Sequence, residues 1–141
     1  MDYSTLVIYM ADDDDDDRFL MRRSLQSVYP ALTLVEAEDG GELLTLLDNW
    51  SQQPAHLPVH LILLDMNMPK VNGMETLAAL KANPLLRHIP AVMVSTSDEP
   101  TLVATAYQTG ASGYVKKPAS YDHLDQLVRS IGSSFFGGAP N

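Results

Sequence analysis

Four short apolar segments of this chain each end in side chains that suit phosphate or metal chemistry. In chain order, these side chains are Asp12 and Asp13, then Asp65, Ser95 and Lys117. In an open parallel sheet, functional groups gather beyond the carboxyl ends of the strands. If the first and third segments are neighbouring strands, three carboxylates meet there, with a hydroxyl and an ammonium group close by.

Three neighbouring carboxylates need a cation. Two like charges about 4 Å apart repel by about 4 kcal/mol at an effective dielectric constant of about 20, and this repulsion raises their pKa values. A divalent ion that prefers oxygen ligands, such as Mg²⁺, would relieve the repulsion. With the ion bound, one aspartate could accept a phosphoryl group, while the lysine neutralises phosphoryl oxygens and the serine hydrogen-bonds one of them.

Five apolar segments have the length of strands and alternate with helical patterns. They cover residues 6–11, 32–37, 59–64, 91–95 and 113–116. Three of them are apolar nearly throughout, which is typical of strands covered on both faces. The last is short and mixed, as an edge strand would be. The alternation predicts a parallel sheet with right-handed crossovers and helices on both faces.

The sequence also predicts five helices. The first follows the aspartates, and the second has Asp39 as its N-cap, with Glu42 three residues further on. The other three are expected over residues 73–82, from about 97 to 110, and after residue 120.

The chain has 141 residues, which is the size of one domain. We expect the domain to span residues 1–131 and a flexible tail to cover residues 132–141. The absence of cysteine excludes disulfides, thiolate metal sites and cysteine nucleophiles.

The net charge of −9 comes largely from one block of six acids, Asp12 to Asp17. A chain of this sign has no general attraction for nucleic acid or anionic lipid. The N-terminal residues have neither the basic region nor the apolar length of a signal peptide or membrane span. We therefore expect a cytoplasmic protein that binds neither nucleic acid nor a membrane directly.

Over about residues 5 to 131 the chain resembles the receiver domains of bacterial two-component response regulators. Four motifs carry the resemblance, namely Asp12-Asp13, Asp65-Met66-Asn67-Met68-Pro69, Ser95, and Tyr114-Val115-Lys116-Lys117-Pro118. Ser95 lies 30 residues after Asp65, and Lys117 lies 22 residues after Ser95, as in receivers. The resemblance implies a flavodoxin-like (βα)5 fold, with a five-stranded parallel sheet of strand order 2-1-3-4-5.

The resemblance also assigns a role to each acidic residue of the predicted site. Asp65 would be the phosphoacceptor and a ligand of Mg²⁺. Asp13 would bind the ion directly and Asp12 mainly through water, while Asn67 would offer its backbone carbonyl. Lys117 would contact the phosphoryl oxygens.

Further residues take switching roles by the same resemblance. Ser95 corresponds to the hydroxyl that moves toward the phosphoryl group, and Tyr114 to the aromatic side chain that swings inward with it. Asn67 and Ser97 occupy positions that influence how long the phosphoryl group survives. A cis peptide bond is implied between Lys117 and Pro118, a form that is accessible mainly to proline.

The implied function is that of a stand-alone response regulator, similar to those paired with bacterial phytochromes. A partner histidine kinase or phosphotransfer protein would phosphorylate Asp65, and the face of the fourth helix, fifth strand and fifth helix would then change its affinity for a downstream protein. We expect slow hydrolysis of the acyl phosphate but no metabolic reaction. We also expect no output domain to follow, because the chain ends about where the resemblance ends. The sequence does not decide whether the protein forms a homodimer, since Phe135 and Phe136 could either join two copies or fold back onto the domain.

Two other functions compete with this one. A haloacid-dehalogenase-like phosphatase also uses an Asp-x-Asp motif after its first strand, but its late acidic metal pair would have to be Asp122 and Asp125, which lie on the last predicted helix. A receiver-like scaffold that is never phosphorylated would not require the acid, hydroxyl and lysine set.

Simpler structural roles also compete for single residues. Asp14 to Asp17 suit a solvated turn or a helix N-terminus, where negative charge is favourable. A calcium loop is excluded, because Asp17 occupies its required glycine position and Arg23 its bidentate glutamate position. Ser95 could instead cap a turn, and Tyr114 could be an ordinary aromatic residue of an edge strand.

Overall fold

The apolar segments form five parallel strands in a computed structural model that describes residues 6–55, 58–68 and 71–136. The strands are β1 (Val7–Ala11), β2 (Thr33–Ala37), β3 (Leu61–Asp65), β4 (Ala91–Ser95) and β5 (Gly113–Lys116). Every residue of β1, β3 and β4 is buried, as expected for strands covered on both faces. The order β2-β1-β3-β4-β5 confirms the predicted topology and places β5 at an edge.

The register of the sheet aligns the ends of its central strands. Ala11 pairs with Leu64, so the residues that follow them, Asp12 and Asp65, lie side by side at the carboxyl ends of β1 and β3. On the other side of β3, Asp65 itself pairs with Val94. The carboxyl ends of β1, β3 and β4 therefore form one edge, which carries the polar residues.

Helices separate the strands. They are α1 (Asp15–Val28), α2 (Gly40–Ser51), α3 (Gly73–Ala82), α4 (Pro100–Thr109) and α5 (Leu124–Phe135), with a 3-10 turn at Tyr121–His123. Asp39 caps α2 by accepting the amide of Glu42 at 2.8 Å, as predicted. Gly110 ends α4 with a φ of +118°, a conformation that glycine adopts without strain. None of the helices within the described ranges is long and apolar enough to span a bilayer.

Each face of the sheet buries its own apolar cluster. On one face, α2 and α3 pack Leu43 and Leu77 against Ile62 and Leu64. On the other face, α1 and α5 contribute a second set, which includes Met21, Leu25, Val28, Val128 and Ile131. The predicted arrangement of helices on both faces is confirmed, and the two clusters hold the sheet edge rigidly between them.

The fifth helix runs past the boundary expected at residue 131. It continues to Phe135, and Phe136 is buried, with its ring edge-on to Tyr29 at 5.7 Å between centroids. Gly132 permits this contact, because a Cβ atom at that position would overlap the Tyr29 hydroxyl. The expectation of a tail from residue 132 is therefore corrected for residues 132–136, which belong to the packed domain. Residues 137–141 lie outside the described ranges.

Candidate functional site

Three carboxylates meet at the carboxyl edge of the sheet. Oxygen atoms of Asp12, Asp13 and Asp65 all lie within 4.8 Å of one another. Asp12 and Asp65 are buried, each only 7% exposed, whereas Asp13 is open to solvent. The ammonium of Lys117 lies 3.2 Å from Asp12 Oδ2 and 3.5 Å from Asp65 Oδ1. The predicted convergence of acids and lysine is thus present in the structure.

The turn between β1 and α1 is held by several hydrogen bonds. The Asp12 amide donates to Ala37 O in β2 at 3.1 Å, and its carboxylate accepts the Asp14 amide at 3.0 Å. The Arg18 guanidinium donates to Asp12 O at 2.6 Å. These contacts fix the backbone that carries Asp12 and Asp13 from both the strand and the helix side.

Asp14 caps α1, as the sequence suggested for this part of the acidic block. Its carboxylate accepts the amides of Asp16 and Asp17 at 2.9 and 3.0 Å. These two amides belong to the first turn of the helix, whose N–H groups have no partner within the helix itself. The cap fixes where the helix begins, and so determines the direction in which each following aspartate points.

Asp17 is a member of the site that the sequence analysis missed. We expected it to be solvated or to cap the helix, but its Oδ2 lies 2.9 Å from the Lys117 ammonium. A signal for this contact is present in the periodicity of α1. The buried residues of the helix are Met21, Ser24, Leu25 and Val28. Asp17 lies four residues before Met21 and therefore on the same side of the helix.

A close backbone contact positions Asp65. A Cβ atom at Gly73, the first residue of α3, would overlap the Asp65 carbonyl oxygen and lie 2.9 Å from Met66 Cα. The Gly73 amide donates to Met66 O at 3.1 Å, and the Asn67 amide donates to the Asp65 carboxylate. The helix N-terminus therefore lies directly against the end of β3. Pro69 of the predicted motif lies outside the described residues.

The predicted switch residues form one hydrogen-bonded chain. Ser95 is fully buried, and its Oγ accepts the Ser97 amide at 3.1 Å. The half-buried Tyr114 donates its hydroxyl to Ser97 O at 2.5 Å. The Lys117 amide donates to Ser95 O at 2.7 Å. Strand β5 is thus connected to the loop after β4, and through that loop to the acidic edge.

The peptide bond between Lys117 and Pro118 is trans, which corrects the cis bond implied by the resemblance. Bonds before proline still favour the trans form by about 0.5–1 kcal/mol. In this form the Lys117 ammonium already reaches Asp12 and Asp17 at hydrogen-bonding distance.

Burial and crowding shift the titration of the central groups. Burial, with the added charge of Asp12, raises the pKa of Asp65 to about 6, although Lys117 and the Asn67 amide act in the opposite direction. Burial likewise raises the pKa of Asp12. Burial alone would lower the pKa of Lys117, but the hydrogen bond that its ammonium donates to Asp17 and the three neighbouring carboxylate charges outweigh burial and raise that pKa. The lysine is therefore fully charged, and the acids still carry more negative charge than one ammonium can balance.

The donor set suits a hard divalent cation. The three clustered ligands are carboxylate oxygens, and at least one of them faces solvent. Carboxylate oxygens are the ligands that Mg²⁺ and similar ions prefer. The late acids of the competing phosphatase hypothesis do not contribute here, because Asp122 lies in the 3-10 turn and Asp125 accepts a hydrogen bond from Ser24 on α1.

Comparison with known proteins gives consistent matches. The family model of the response regulator receiver domain matches residues 8–129. Response regulator Rcp1 of Synechocystis is 31% identical over 127 residues, which make up 90% of this chain and 86% of Rcp1.

Two solved structures are similar along nearly the whole chain. The phosphorylated cyanobacterial phytochrome response regulator RcpA is 28% identical, with a TM-score of 0.83 over 96% of this chain and 99% of that one. The Mn²⁺-bound form of Rcp1 is 32% identical, with a TM-score of 0.74 over 91% of this chain and 92% of that one.

The family match covers β1 except its first residue, the other four strands, and the first half of α5. Receiver domains are signalling domains of two-component systems and interact with histidine kinases or phosphotransfer proteins. With its strand order, its acidic edge and its sequence match in agreement, this chain belongs to the family of response regulator receiver domains.

Proposed function

We propose that this receiver accepts a phosphoryl group on Asp65 from a histidine kinase or phosphotransfer protein, with Mg²⁺ bound, and then changes its affinity for a downstream protein. The observation that supports this most directly is the position of Asp65. Its buried carboxylate lies in one cluster with Asp12 and Asp13, and 3.5 Å from the Lys117 ammonium. The solved structure of RcpA, a relative, is of its phosphorylated form, and this supports the same modification here.

Asp12, Asp13 and Asp65 would hold the ion, together with the backbone carbonyl of Asn67. When bound, the ion supplies positive charge that balances the carboxylates and the phosphoryl oxygens. The Mn²⁺-bound form of Rcp1 supports a divalent ion in this family, and the choice of Mg²⁺ is part of the proposal.

In the transfer step, a carboxylate oxygen of Asp65 forms a bond to phosphorus while the bond between phosphorus and the donor's imidazole nitrogen breaks. The imidazole leaves with the electron pair of that bond and takes up a proton from solvent. The carboxylate must be ionised to act as the nucleophile. Lys117 would then neutralise phosphoryl oxygens, as a charged group placed within reach of the acceptor can do.

The response would pass through the chain of hydrogen bonds from Ser95 to Tyr114. A phosphoryl group adds a charge of about −2 and new acceptor oxygens, which attract the Ser95 hydroxyl and the Lys117 ammonium. Movement of Ser95 would disturb the bond from Tyr114 to the Ser97 carbonyl, and so the face formed by α4, β5 and α5. Ser97 and the exposed Asn67 would affect the lifetime of the acyl phosphate.

The test uses a small acyl phosphate donor with Mg²⁺ and follows intact protein mass. The native chain should gain the mass of one phosphoryl group, and Asp65→Asn should not. Equal labelling of both proteins contradicts the acceptor assignment, and no labelling of either favours the scaffold alternative. Since RcpA is a phytochrome response regulator, a phytochrome-type histidine kinase is the first natural donor to test.

A further inference from the structure

The Lys117 ammonium has three carboxylate neighbours, and the nearest of them lies outside the metal cluster. Asp17 Oδ2 is 2.9 Å away, compared with 3.2 Å for Asp12 Oδ2 and 3.5 Å for Asp65 Oδ1. The bonds to Asp17 and Asp12 have hydrogen-bonding geometry. The ammonium is therefore displaced toward α1 and away from the acceptor residue.

The helix holds Asp17 where it makes this contact. The Asp17 amide is bound by the cap residue Asp14, and its side chain lies on the helix edge that continues into the buried Met21. The Asp17 side chain is 29% exposed, whereas its neighbour Asp16 is exposed, and the Asp16 side chain has no ion pair or hydrogen bond with any other described residue. Two adjacent aspartates in one helical turn thus differ in a single respect that matters here, the contact with Lys117.

Asp12 and Asp65 each face two cations in the proposed mechanism, the lysine and the divalent ion. Among the described residues, Asp17 lies outside the carboxylate cluster, and its carboxylate contacts the Lys117 ammonium. An ammonium drawn fully onto Asp12 and Asp65 would occupy their oxygen atoms and repel a second cation. A third acceptor at the side of the site reduces that competition.

We infer that Asp17 is a positioning residue that draws the Lys117 ammonium toward α1 and thereby keeps the carboxylates of Asp12 and Asp65 available to a divalent ion. The inference rests on the proposed function, because it assigns Asp17 a part in the metal affinity of that same site. It predicts that the loss of the Asp17 charge weakens metal binding through two effects of the same sign: a negative charge is lost, and the lysine moves onto the metal ligands.

The experiment compares Asp17→Asn with Asp16→Asn, a matched control that removes the same charge from the same helical turn without touching Lys117. Isothermal titration calorimetry with MgCl₂ measures the dissociation constant of each protein, and circular dichroism confirms that each is folded. Asp17→Asn should raise the dissociation constant at least about threefold over Asp16→Asn, the size expected for one charge at close range. Asp17→Glu, which keeps a carboxylate at this position, should recover most of the lost affinity, and a merely structural role for Asp17 would not predict that recovery.

Equal Mg²⁺ affinity of Asp17→Asn and Asp16→Asn overturns the inference, as does an Asp17→Glu protein as weak as Asp17→Asn. If Asp17→Asn does not fold, Asp17→Ser takes its place under the same criteria. Acyl phosphate labelling of the native chain, run in parallel, separates the two proposals. A native chain that binds Mg²⁺ but takes up no phosphoryl group defeats the proposed function and leaves the inference testable by calorimetry. If the native chain is labelled but Asp17→Asn and Asp16→Asn bind Mg²⁺ equally well, the proposed function is supported and the inference about Asp17 fails.

Discussion

At the scale of single residues, the surroundings of Asp65 oppose the ionised form that the proposed chemistry needs. The Asp65 carboxylate is buried beside that of Asp12, and the positive charge of Lys117 compensates only in part. The pKa of Asp65 therefore rises from 3.8 to about 6. A raised carboxyl pKa means that ionisation costs stability in the folded state. With respect to this group, the folded state is most stable below about pH 4, where Asp65 is protonated. That stability is lost as the pH rises through about 6 and Asp65 ionises.

We therefore expect Asp65→Asn to be more stable than the native chain at pH 7.5 without divalent ions, by about 1–2 kcal/mol. The difference should shrink as the pH is lowered from 7 to 5, because the native carboxylate becomes protonated. Urea unfolding in the presence of a chelator measures both effects. Excess Mg²⁺ serves as the control and should stabilise the native chain more than the variant, since the variant lacks one ligand. A less stable Asp65→Asn at pH 7.5 would show that the lysine outweighs the crowding of the acids.

At the scale of elements, the site depends on how closely α3 approaches β3. Gly73 begins the helix against the backbone of Asp65, where a side chain has no room. The capping box of α3, in which Asn72 and Glu75 exchange hydrogen bonds, holds the same turn from the other side. The position of the Asp65 carboxylate thus follows from the packing of a helix end onto a strand.

Gly73→Ala should destabilise the protein by about 1–3 kcal/mol, because the added methyl group meets backbone atoms that cannot move independently. It should also slow acyl phosphate labelling, since the shift displaces Asp65. Gly41→Ala in α2 is the matched control, because its Cβ would contact only a side-chain oxygen of Asp39, at 3.3 Å. A Gly73→Ala protein with native stability and labelling rate would contradict this account of the acceptor position.

Features that depend on local spacing could be predicted from the sequence. The strand ends at Ala11, Asp65 and Ser95 follow from apolar runs, and the Asp39 cap follows from Glu42 three residues later. Features that depend on how distant segments pack could not be predicted from the sequence. The contact between Asp17 and Lys117 joins residues 100 positions apart.

Two local expectations about the end of the chain failed for related reasons. The glycine and serine content after Ile131 suggested a tail, but Phe136 finds a partner in Tyr29, at the far end of α1. The bond before Pro118 was expected to be cis from the resemblance, although the proline ring permits either form. For Phe136, the deciding contact lies more than 100 residues away in the chain.

At the scale of the whole molecule, the two ends of the described chain are linked through α1 and α5. Ser24 donates to the Asp125 carboxylate, and Phe136 packs on Tyr29 immediately after α1 ends. The two helices cover one face of the sheet together. The last turn of α5 thus contributes to the apolar cluster on that face of the sheet.

Phe136→Ala should therefore cost about 3 kcal/mol of unfolding free energy, the usual range for removing a buried aromatic ring. Ser133→Ala on the exposed side of the same turn should change stability by less than about 0.5 kcal/mol. Thermal or urea unfolding of the three proteins provides the comparison. If Phe136→Ala unfolds with the native midpoint, residues after 131 do not belong to the folded domain.

The six identical residues of the acidic block are not interchangeable. Asp12 directly follows a strand, Asp14 caps a helix and Asp17 contacts a lysine, although all have the same side chain. A deletion of one aspartate codon would leave the composition of the tract almost unchanged. It would nevertheless shorten the turn or rotate the first helical positions by about 100°. Codon slippage would change the length of this aspartate tract. The site depends on that length more than on the total charge of the tract.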